Sequence, residues 1–130
     1  MYRLRILGAL SLCFLLASCG AKEEYKYLVG FSQCNLAEPW RQAMNAAVKK
    51  EAANHPDMKI IYADAHQDND EQVSQIRSFL TQKIDLLMVS PNEAAPLTPA
   101  VREVYNAGIP VVVIDRAIAG DCYTGFVGGN

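Results

Sequence analysis

Residues 107–116 read AGIPVVVIDR and carry the strongest structural signal in this chain of 130 residues. The four β-branched residues Val111 to Ile114 form a continuous apolar run, which is typical of a strand covered on both faces. Gly108 is well placed to cap a preceding helix at its C-terminus. Asp115 and Arg116 follow the strand directly, so a buried strand here ends on two charged side chains.

The same alternation of short apolar runs and longer amphipathic segments extends back along the chain. Strands are predicted at residues 27–31, 59–63, 86–89, 111–114 and 124–128. The order βαβαβαβ, followed by a last β, predicts an α/β fold with a parallel, Rossmann-like sheet and helices on both faces.

The helices between these strands have recognisable features. The first is predicted to place Trp40, Met44, Ala47 and Val48 on one apolar face. The second opens at Asp68, a plausible N-cap with Glu71 three residues later. The third is expected to end at Gly108.

The N-terminus is typical of a targeting segment. Arg3 and Arg5 precede the apolar stretch 6–16, which is too short for a comfortable transmembrane helix. The sequence Leu-Ala-Ser-Cys at 16–19 resembles the lipobox of bacterial lipoproteins, so Cys19 is the expected lipid acceptor. An ordinary secretory leader or an uncleaved anchor with a chance cysteine is the alternative. The expected organisation is therefore a signal peptide at 1–18, a tether at 19–26 and one domain at 27–130.

Composition and motifs narrow the function classes. Hydrophobic residues make up 51% of the chain and charged residues 20%, a globular composition with a net charge of −2 and no basic patch for nucleic acid. No cofactor or metal site is expected, because no P-loop, dinucleotide fingerprint, nucleophile elbow or Cys/His ligand spacing is present. Cys34 and Cys122 could pair in an exported protein, but two separate thiols are the favoured interpretation.

Ligands of parallel sheets bind beyond the carboxyl ends of the strands, which directs attention to the residues that follow each strand. Asp115 accepts hydrogen bonds and Arg116 donates several, so together they suit adjacent hydroxyls of a polyol. An internal salt bridge closing the strand end is an equally open alternative.

Other candidates lie in the loops after the first and third strands. Trp40 offers a flat face for a sugar ring and Arg41 forked donors, although Trp40 could instead pack in the core. Gln33 and Glu38 add polar groups in the same loop. Asn92 could reach a ligand or serve only a turn.

From Tyr27 onward the chain resembles type I periplasmic sugar-binding proteins of the ribose- and galactofuranose-binding kind, which share their fold with LacI-type repressor cores. The resemblance rests on the segments VGFSQ at 29–33, Trp40-Arg41, QVSQIRSF at 72–79, and AGIPV at 107–111 running into Ile114-Asp115-Arg116. Residues 91–99, PNEAAPLTP, are most similar to the periplasmic sensor domains of hybrid two-component systems.

The resemblance implies that Asp115, Arg116, Trp40 and Arg41 contact a sugar, with Gln33 and Glu38 carried over less securely. It also implies an N-terminal lobe, truncated before a second lobe, in a non-enzymatic protein of the periplasm, and the lipobox-like segment predicts that this protein is anchored to the membrane. The parent is either a lipoprotein that delivers sugar to an ABC-type permease or the sensor end of a transmembrane histidine kinase. An enzyme with an incomplete site is a remote third alternative, and the identity of the sugar is left open.

Overall fold

The computed structural model describes residues 25–129, so the predicted leader and Cys19 lie outside the described residues. These residues form five strands and three helices in the predicted order. Their bounds are β1 Tyr27–Gln33, α1 Pro39–Ala52, β2 Met58–Asp64, α2 Asn69–Thr81, β3 Leu86–Ser90, α3 Ala94–Asn106, β4 Val111–Ile114 and β5 Gly125–Val127. The predicted α/β class is confirmed.

All five strands run parallel in one sheet, in the order β2-β1-β3-β4-β5. The chain leaves β1 to form β2 on one side and then returns to form β3 on the other. The switch point of the sheet therefore lies between β1 and β3, where Gln33 stands opposite Ser90 at the carboxyl ends. Parallel sheets bind ligands in the crevice outside such a point.

Helices α2 and α3 cover one face of the sheet and enclose the main apolar core with it. The buried members of this core include Ile76, Phe79, Leu87, Val89, Leu97, Val101, Val104, Val111 and Val113. On this face Gly30 lets the ring of Phe79 lie against the backbone of β1. A Cβ atom added at Gly30 would stand 2.5 Å from Cδ2 of that ring.

Helix α1 lies on the opposite face, where the predicted apolar stripe is partly wrong. Trp40 and Ala47 are exposed, Met44 is half-buried, and the buried positions of the helix are Arg41 and Asn45. The first half of α1 lies over the polar ends of the strands, so its buried side chains are those that supply hydrogen bonds there. Only the second half of α1 faces apolar residues of the sheet, across a groove of about 270 Å³.

The predicted helix ends are confirmed. Oδ1 of Asp68 accepts hydrogen bonds from the backbone N–H groups of Asp70 at 2.8 Å and Glu71 at 3.0 Å, and so caps α2. Gly108 follows the end of α3 with a φ of +82°, a conformation that glycine adopts without steric cost.

The cysteines and the hydropathy of the helices can also be described for these residues. Cys34 and Cys122 are separate, buried thiols, so the favoured interpretation of the cysteines is confirmed. Within residues 25–129, no helix combines the length and the hydropathy that crossing a membrane requires.

We expect Gly30→Ala to destabilise the lobe, because the new methyl group must displace the buried ring of Phe79. Overpacking of this kind costs about 1–3 kcal/mol of the free energy of unfolding. Guanidinium denaturation of the full-length protein measures the change, and the double variant Gly30→Ala/Phe79→Leu should recover part of it.

Gly125→Ala is the matched control in β5, since a Cβ atom there meets no heavy atom within 4 Å. The guanidinium concentration at which half of this variant is unfolded should stay close to that of the wild type. Equal losses in the two alanine variants would contradict the role of the ring.

Candidate ligand-binding site

The carboxyl ends of β1, β3 and β4 bring most of the predicted site residues together around one buried group, the guanidinium of Arg41. This side chain enters from the first turn of α1 and is 1% exposed. Its Nη1 donates to Oγ of Ser90 at 2.7 Å, and its Nη2 donates to Oδ2 of Asp115 at 3.1 Å. Its Nε lies 3.1 Å from Oε2 of Glu38, as an ion pair without hydrogen-bond geometry. Arg41 thus connects the ends of β3 and β4 with the loop after β1.

The charge of this guanidinium is balanced by two carboxylates. A guanidinium stays protonated in proteins, so burying it requires acceptors and negative charge close by. Glu38 and Asp115 provide that charge from different loops, and both are partly exposed. The predicted residues Arg41, Glu38 and Asp115 therefore form one cluster.

Trp40 lies beside the cluster with a large part of its ring open to solvent. The residue is 46% exposed, so the alternative of a core-packed tryptophan is wrong. The guanidinium carbon of Arg41 lies 4.1 Å from the ring centroid of Trp40, close enough for a cation–π contact. This contact supports the ring, which presents an apolar surface next to charged groups.

Asp115 holds a backbone conformation that few residues adopt. Its φ is +72°, in the left-handed region where Asp and Asn are tolerated better than most non-glycine residues. Its N–H donates to the carbonyl of Val127 at 2.7 Å, which ties this turn to β5. Strain of this kind often occurs at functional sites, where the surrounding structure maintains it. The carboxylate itself is 34% exposed.

Both interpretations of the Asp115-Arg116 pair find support in these contacts. Asp115 does form an internal salt bridge, but with Arg41 rather than chiefly with Arg116, whose Nε lies 3.9 Å from Oδ2. Arg116 turns to the loop after β3, where its Nη1 donates to the carbonyl of Asn92 at 2.6 Å. Arg116 is 54% exposed, and Asp115 keeps surface open to a ligand.

Asn92 and Gln33 are placed differently from the other predicted residues. Nδ2 of Asn92 donates both its hydrogens within the protein, to the carbonyl of Gln67 at 3.1 Å and to Oδ1 of Asn69 at 2.9 Å. Gln33 is buried beneath the loop, where its Nε2 donates to Oδ1 of Asn45. Among residues 25–129, no hydrogen-bond partner reaches Oε1 of Gln33.

Three polar residues of this region were not among the candidates: Ser90, Asn45 and Gln72. Ser90 accepts from Arg41, and Asn45 accepts from Gln33. The four-residue spacing from Arg41 to Asn45, one helical turn, was a signal that could have placed both on one buried face. Gln72 is part of the segment that carries the family resemblance, but its partners cannot be read from the sequence.

The thiol of Cys34 lies just beneath the site. Burial raises the pKa of Cys34, while the positive charges of Arg41 and Arg116 act in the opposite direction. The group is therefore a neutral packing element at ordinary pH.

No metal-binding group of three His, Cys, Asp or Glu side chains occurs in the part of the chain that the structure describes. A concavity of about 520 Å³ lies elsewhere, along the amino-terminal half of β2, and its lining contains none of the predicted site residues.

In comparison with known proteins, residues 29–130 match a family described as periplasmic binding protein domain. The ribose import binding protein of Bacillus subtilis is 31% identical over 101 residues, which cover 78% of this chain and 32% of that protein. The galactofuranose-binding protein of Escherichia coli is 34% identical over 90 residues, 69% of this chain and 28% of that protein. The chain thus spans about a third of the length of these curated relatives.

Solved structures give the same picture. The fructose-binding periplasmic domain of a hybrid two-component system shares 38% identity at a TM-score of 0.75, covering 78% of this chain and 33% of that one. A solute-binding protein of an ABC transporter from Bacillus halodurans, solved with myo-inositol, shares 33% identity at a TM-score of 0.76, covering 82% and 37%. These matches confirm the resemblance inferred from the sequence.

We expect Arg41→Lys to destabilise the ligand-free protein, although the charge is kept. A compact ammonium cannot contact Ser90, Asp115 and Glu38 at once as a planar fork does, and leaving a buried acceptor such as Ser90 unpaired costs about 1–3 kcal/mol. The melting temperature of the full-length protein without ligand checks this expectation.

Arg77→Lys provides the control for the same chemical change. Arg77 forms a two-bond pair with Glu103, at 3.0 and 2.7 Å, but both side chains are largely exposed. Exposed pairs contribute about 0–1 kcal/mol. A loss as large in Arg77→Lys as in Arg41→Lys would contradict the special role of the buried guanidinium.

Proposed function

The chain belongs to the periplasmic binding protein family, and from that membership we propose that the protein to which it contributes binds a small carbohydrate outside the inner membrane. The ligand is a monosaccharide or a short saccharide. Its recognition requires no cofactor and no covalent chemistry. Residues 27–130 supply one lobe of the binding domain, and the remaining contacts come from elsewhere in the parent protein.

One observation carries the proposal: at the carboxyl edge of the sheet, a half-exposed indole ring and a partly exposed carboxylate both contact the buried guanidinium of Arg41. Carbohydrates present apolar C–H faces and rings of hydroxyl groups at the same time. The ring of Trp40 suits the first, because aromatic faces pack well against apolar surface. Asp115 suits the second as an acceptor, and Arg116 as a donor of several hydrogen bonds in one plane.

The proposed site is completed by four residues that differ in how far a ligand can reach them: Arg41, Glu38, Gln33 and Asn92. Arg41 is 1% exposed, so it acts mainly by holding Asp115 and the ring of Trp40 in place, and contacts the ligand only through the small part of its side chain that is open. Glu38 lies beside it, and Gln33 lies below. The side chain of Asn92 is occupied within the protein, and its carbonyl serves the site by holding Arg116.

The ligands named for the similar proteins belong to one chemical class. The relatives are named for ribose and galactofuranose, and the similar structures for fructose and myo-inositol. All four are small molecules with several adjacent hydroxyl groups. This common chemistry supports a polyhydroxylated ligand, and binding rather than catalysis, for the present chain.

Two roles fit the proposed binding. The lipobox-like residues 16–19 favour a lipoprotein anchored through Cys19 that passes sugar to an ABC-type permease. The similarity to the fructose-binding domain of a hybrid two-component system favours a sensor that signals to a kinase module. We propose the lipoprotein role first, because the leader belongs to this sequence itself.

We expect Asp115→Asn and Arg116→Ala each to weaken sugar binding by the full-length protein about tenfold to hundredfold. Each substitution removes a hydrogen bond to a charged group, worth about 1.5–3 kcal/mol in a closed site. Trp40→Ala should also weaken binding, through lost stacking surface. Calorimetry with a panel of mono- and disaccharides measures these dissociation constants.

The chain offers matched controls for these variants. Arg77 has nearly the same exposure as Arg116, 55% against 54%, but lies on α2 with Glu103 as its partner. Tyr105 is an exposed aromatic residue at the opposite end of the sheet, so Tyr105→Ala controls for Trp40→Ala. An unchanged dissociation constant in the site variants, beside a clear drop in stability without ligand, would assign Asp115 and Arg116 a structural role only.

We expect Cys19→Ala to abolish lipid attachment and to release the protein from the membrane fraction or block its processing. Metabolic labelling with a fatty acid measures this directly. Cys34→Ala is the control, because that thiol is buried in the folded domain and should not affect labelling. Equal labelling of wild type and Cys19→Ala would contradict the anchor and leave the sensor role favoured.

A further inference from the structure

The side-chain amide of Gln72 is fully buried at 0% exposure and joins α2 to the loop after β3. Its Nε2 donates to the carbonyl of Ser90 at 3.0 Å, and its Oε1 accepts from the N–H of Asn92 at 2.9 Å. One amide therefore bonds two backbone groups, one at the last residue of β3 and one in the loop after it. The carbonyl of Ser90 also accepts from the N–H of Cys34 at 3.0 Å, whereas Gln72 is the partner of the Asn92 N–H, and a backbone donor in this position favours the loop shape that keeps its partner.

The two residues that Gln72 holds are the two that hold the arginines of the proposed site. Oγ of Ser90 accepts from Arg41 at 2.7 Å, and the carbonyl of Asn92 accepts from Arg116 at 2.6 Å. One residue thus connects the amide of Gln72 to each guanidinium group: Ser90 to that of Arg41, and Asn92 to that of Arg116.

We propose that Gln72 is a positioning residue for ligand binding, which acts by fixing the loop after β3 and through it Arg41 and Arg116. The inference rests on the proposed function, since it concerns how the same site is prepared. An arginine side chain has many rotamers, and holding it in place before the ligand arrives reduces the entropy lost on binding. Arg116, which is half-exposed, depends most on the carbonyl of Asn92 for a fixed orientation.

Gln75, one turn further along α2, provides an internal comparison. Its Nε2 also donates to a backbone carbonyl, that of Asp64 at 2.7 Å, and to Oε1 of Glu71 at 3.3 Å, while its Oε1 accepts from a hydroxyl, Oγ of Ser32 at 3.1 Å. Asp64 and Ser32 are at the ends of β2 and β1, and within residues 25–129 neither forms a hydrogen bond or ion pair with Arg41 or Arg116. Gln75 therefore ties α2 to the sheet without serving the arginines.

The test compares Gln72→Met with Gln75→Met in the full-length protein. Methionine keeps the length of the side chain but cannot make either bond. Calorimetry with D-ribose, D-fructose and myo-inositol gives dissociation constants at a temperature where both variants are folded. We expect the dissociation constant of a bound probe to rise about tenfold or more in Gln72→Met and to stay within about threefold in Gln75→Met. Equal changes in the two variants overturn the inference.

A second measurement needs no ligand and separates this inference from the proposed function. Spectra of ¹⁵N-labelled arginine side chains report the environment of each guanidinium. Shifted Arg41 or Arg116 signals in Gln72→Met, but not in Gln75→Met, support the positioning role, and unshifted signals overturn it. If the wild type binds none of the probes, the sugar proposal fails for them, and these spectra alone decide the role of Gln72.

Gln72→Glu provides the conservative variant if Gln72→Met does not fold. A buried carboxyl group favours its protonated form, which can still donate to Ser90 as the amide does. We expect binding close to wild type at acid pH and weakened binding as the pH rises and the group ionises. A ratio of variant to wild-type dissociation constants that does not change with pH overturns the inference.

Discussion

A guanidinium group that is permanently charged cannot be buried unless several other segments of the chain come to it, and the carboxyl edge of this sheet is arranged around that requirement. Arg41 is anchored in α1, but its acceptors belong to the end of β3, the end of β4 and the loop after β1. These segments are far apart in sequence. Their common partner fixes their relative positions, and the same guanidinium lies over the ring of Trp40, the preceding residue of the helix.

Most of the fold could be predicted from the sequence because parallel strands covered on both faces have a plain signature. The runs at Leu86 and Val111 contain hardly any polar residue until the strands end, and the helices between them begin and stop at recognisable caps such as Asp68 and Gly108. The stripe assigned to α1 was partly wrong for a physical reason. Periodicity finds apolar faces, whereas Arg41 and Asn45 are buried on account of hydrogen-bond partners that only the tertiary structure supplies.

The site shows the same division between what local sequence determines and what it does not. The rule for parallel sheets placed the candidates correctly at one edge, since it depends only on where strands end. The rule could not predict which of these side chains are exposed or which hydrogen bonds they make. Gln33 is buried, and Asn92 uses its amide within the protein. The contacts of Ser90 and Gln72 join residues that are 18 to 49 positions apart in sequence. The type of a residue is local information, but its hydrogen-bond partner is not.

The positive φ of Asp115 has a consequence for how such a site can diverge. Glycine, asparagine and aspartate enter that region of backbone space at lower cost than most residues, and of these three only aspartate also supplies a negative charge to the buried Arg41. Position 115 is therefore restricted both by its backbone conformation and by its charged partner, so few substitutions there would keep the structure. Neither restriction applies to Trp40, which lies in a helix, or to Arg116, which is half-exposed beside the strand end. In the proposed site, new ligand preferences would accordingly arise by exchange at these neighbours, around an aspartate that stays.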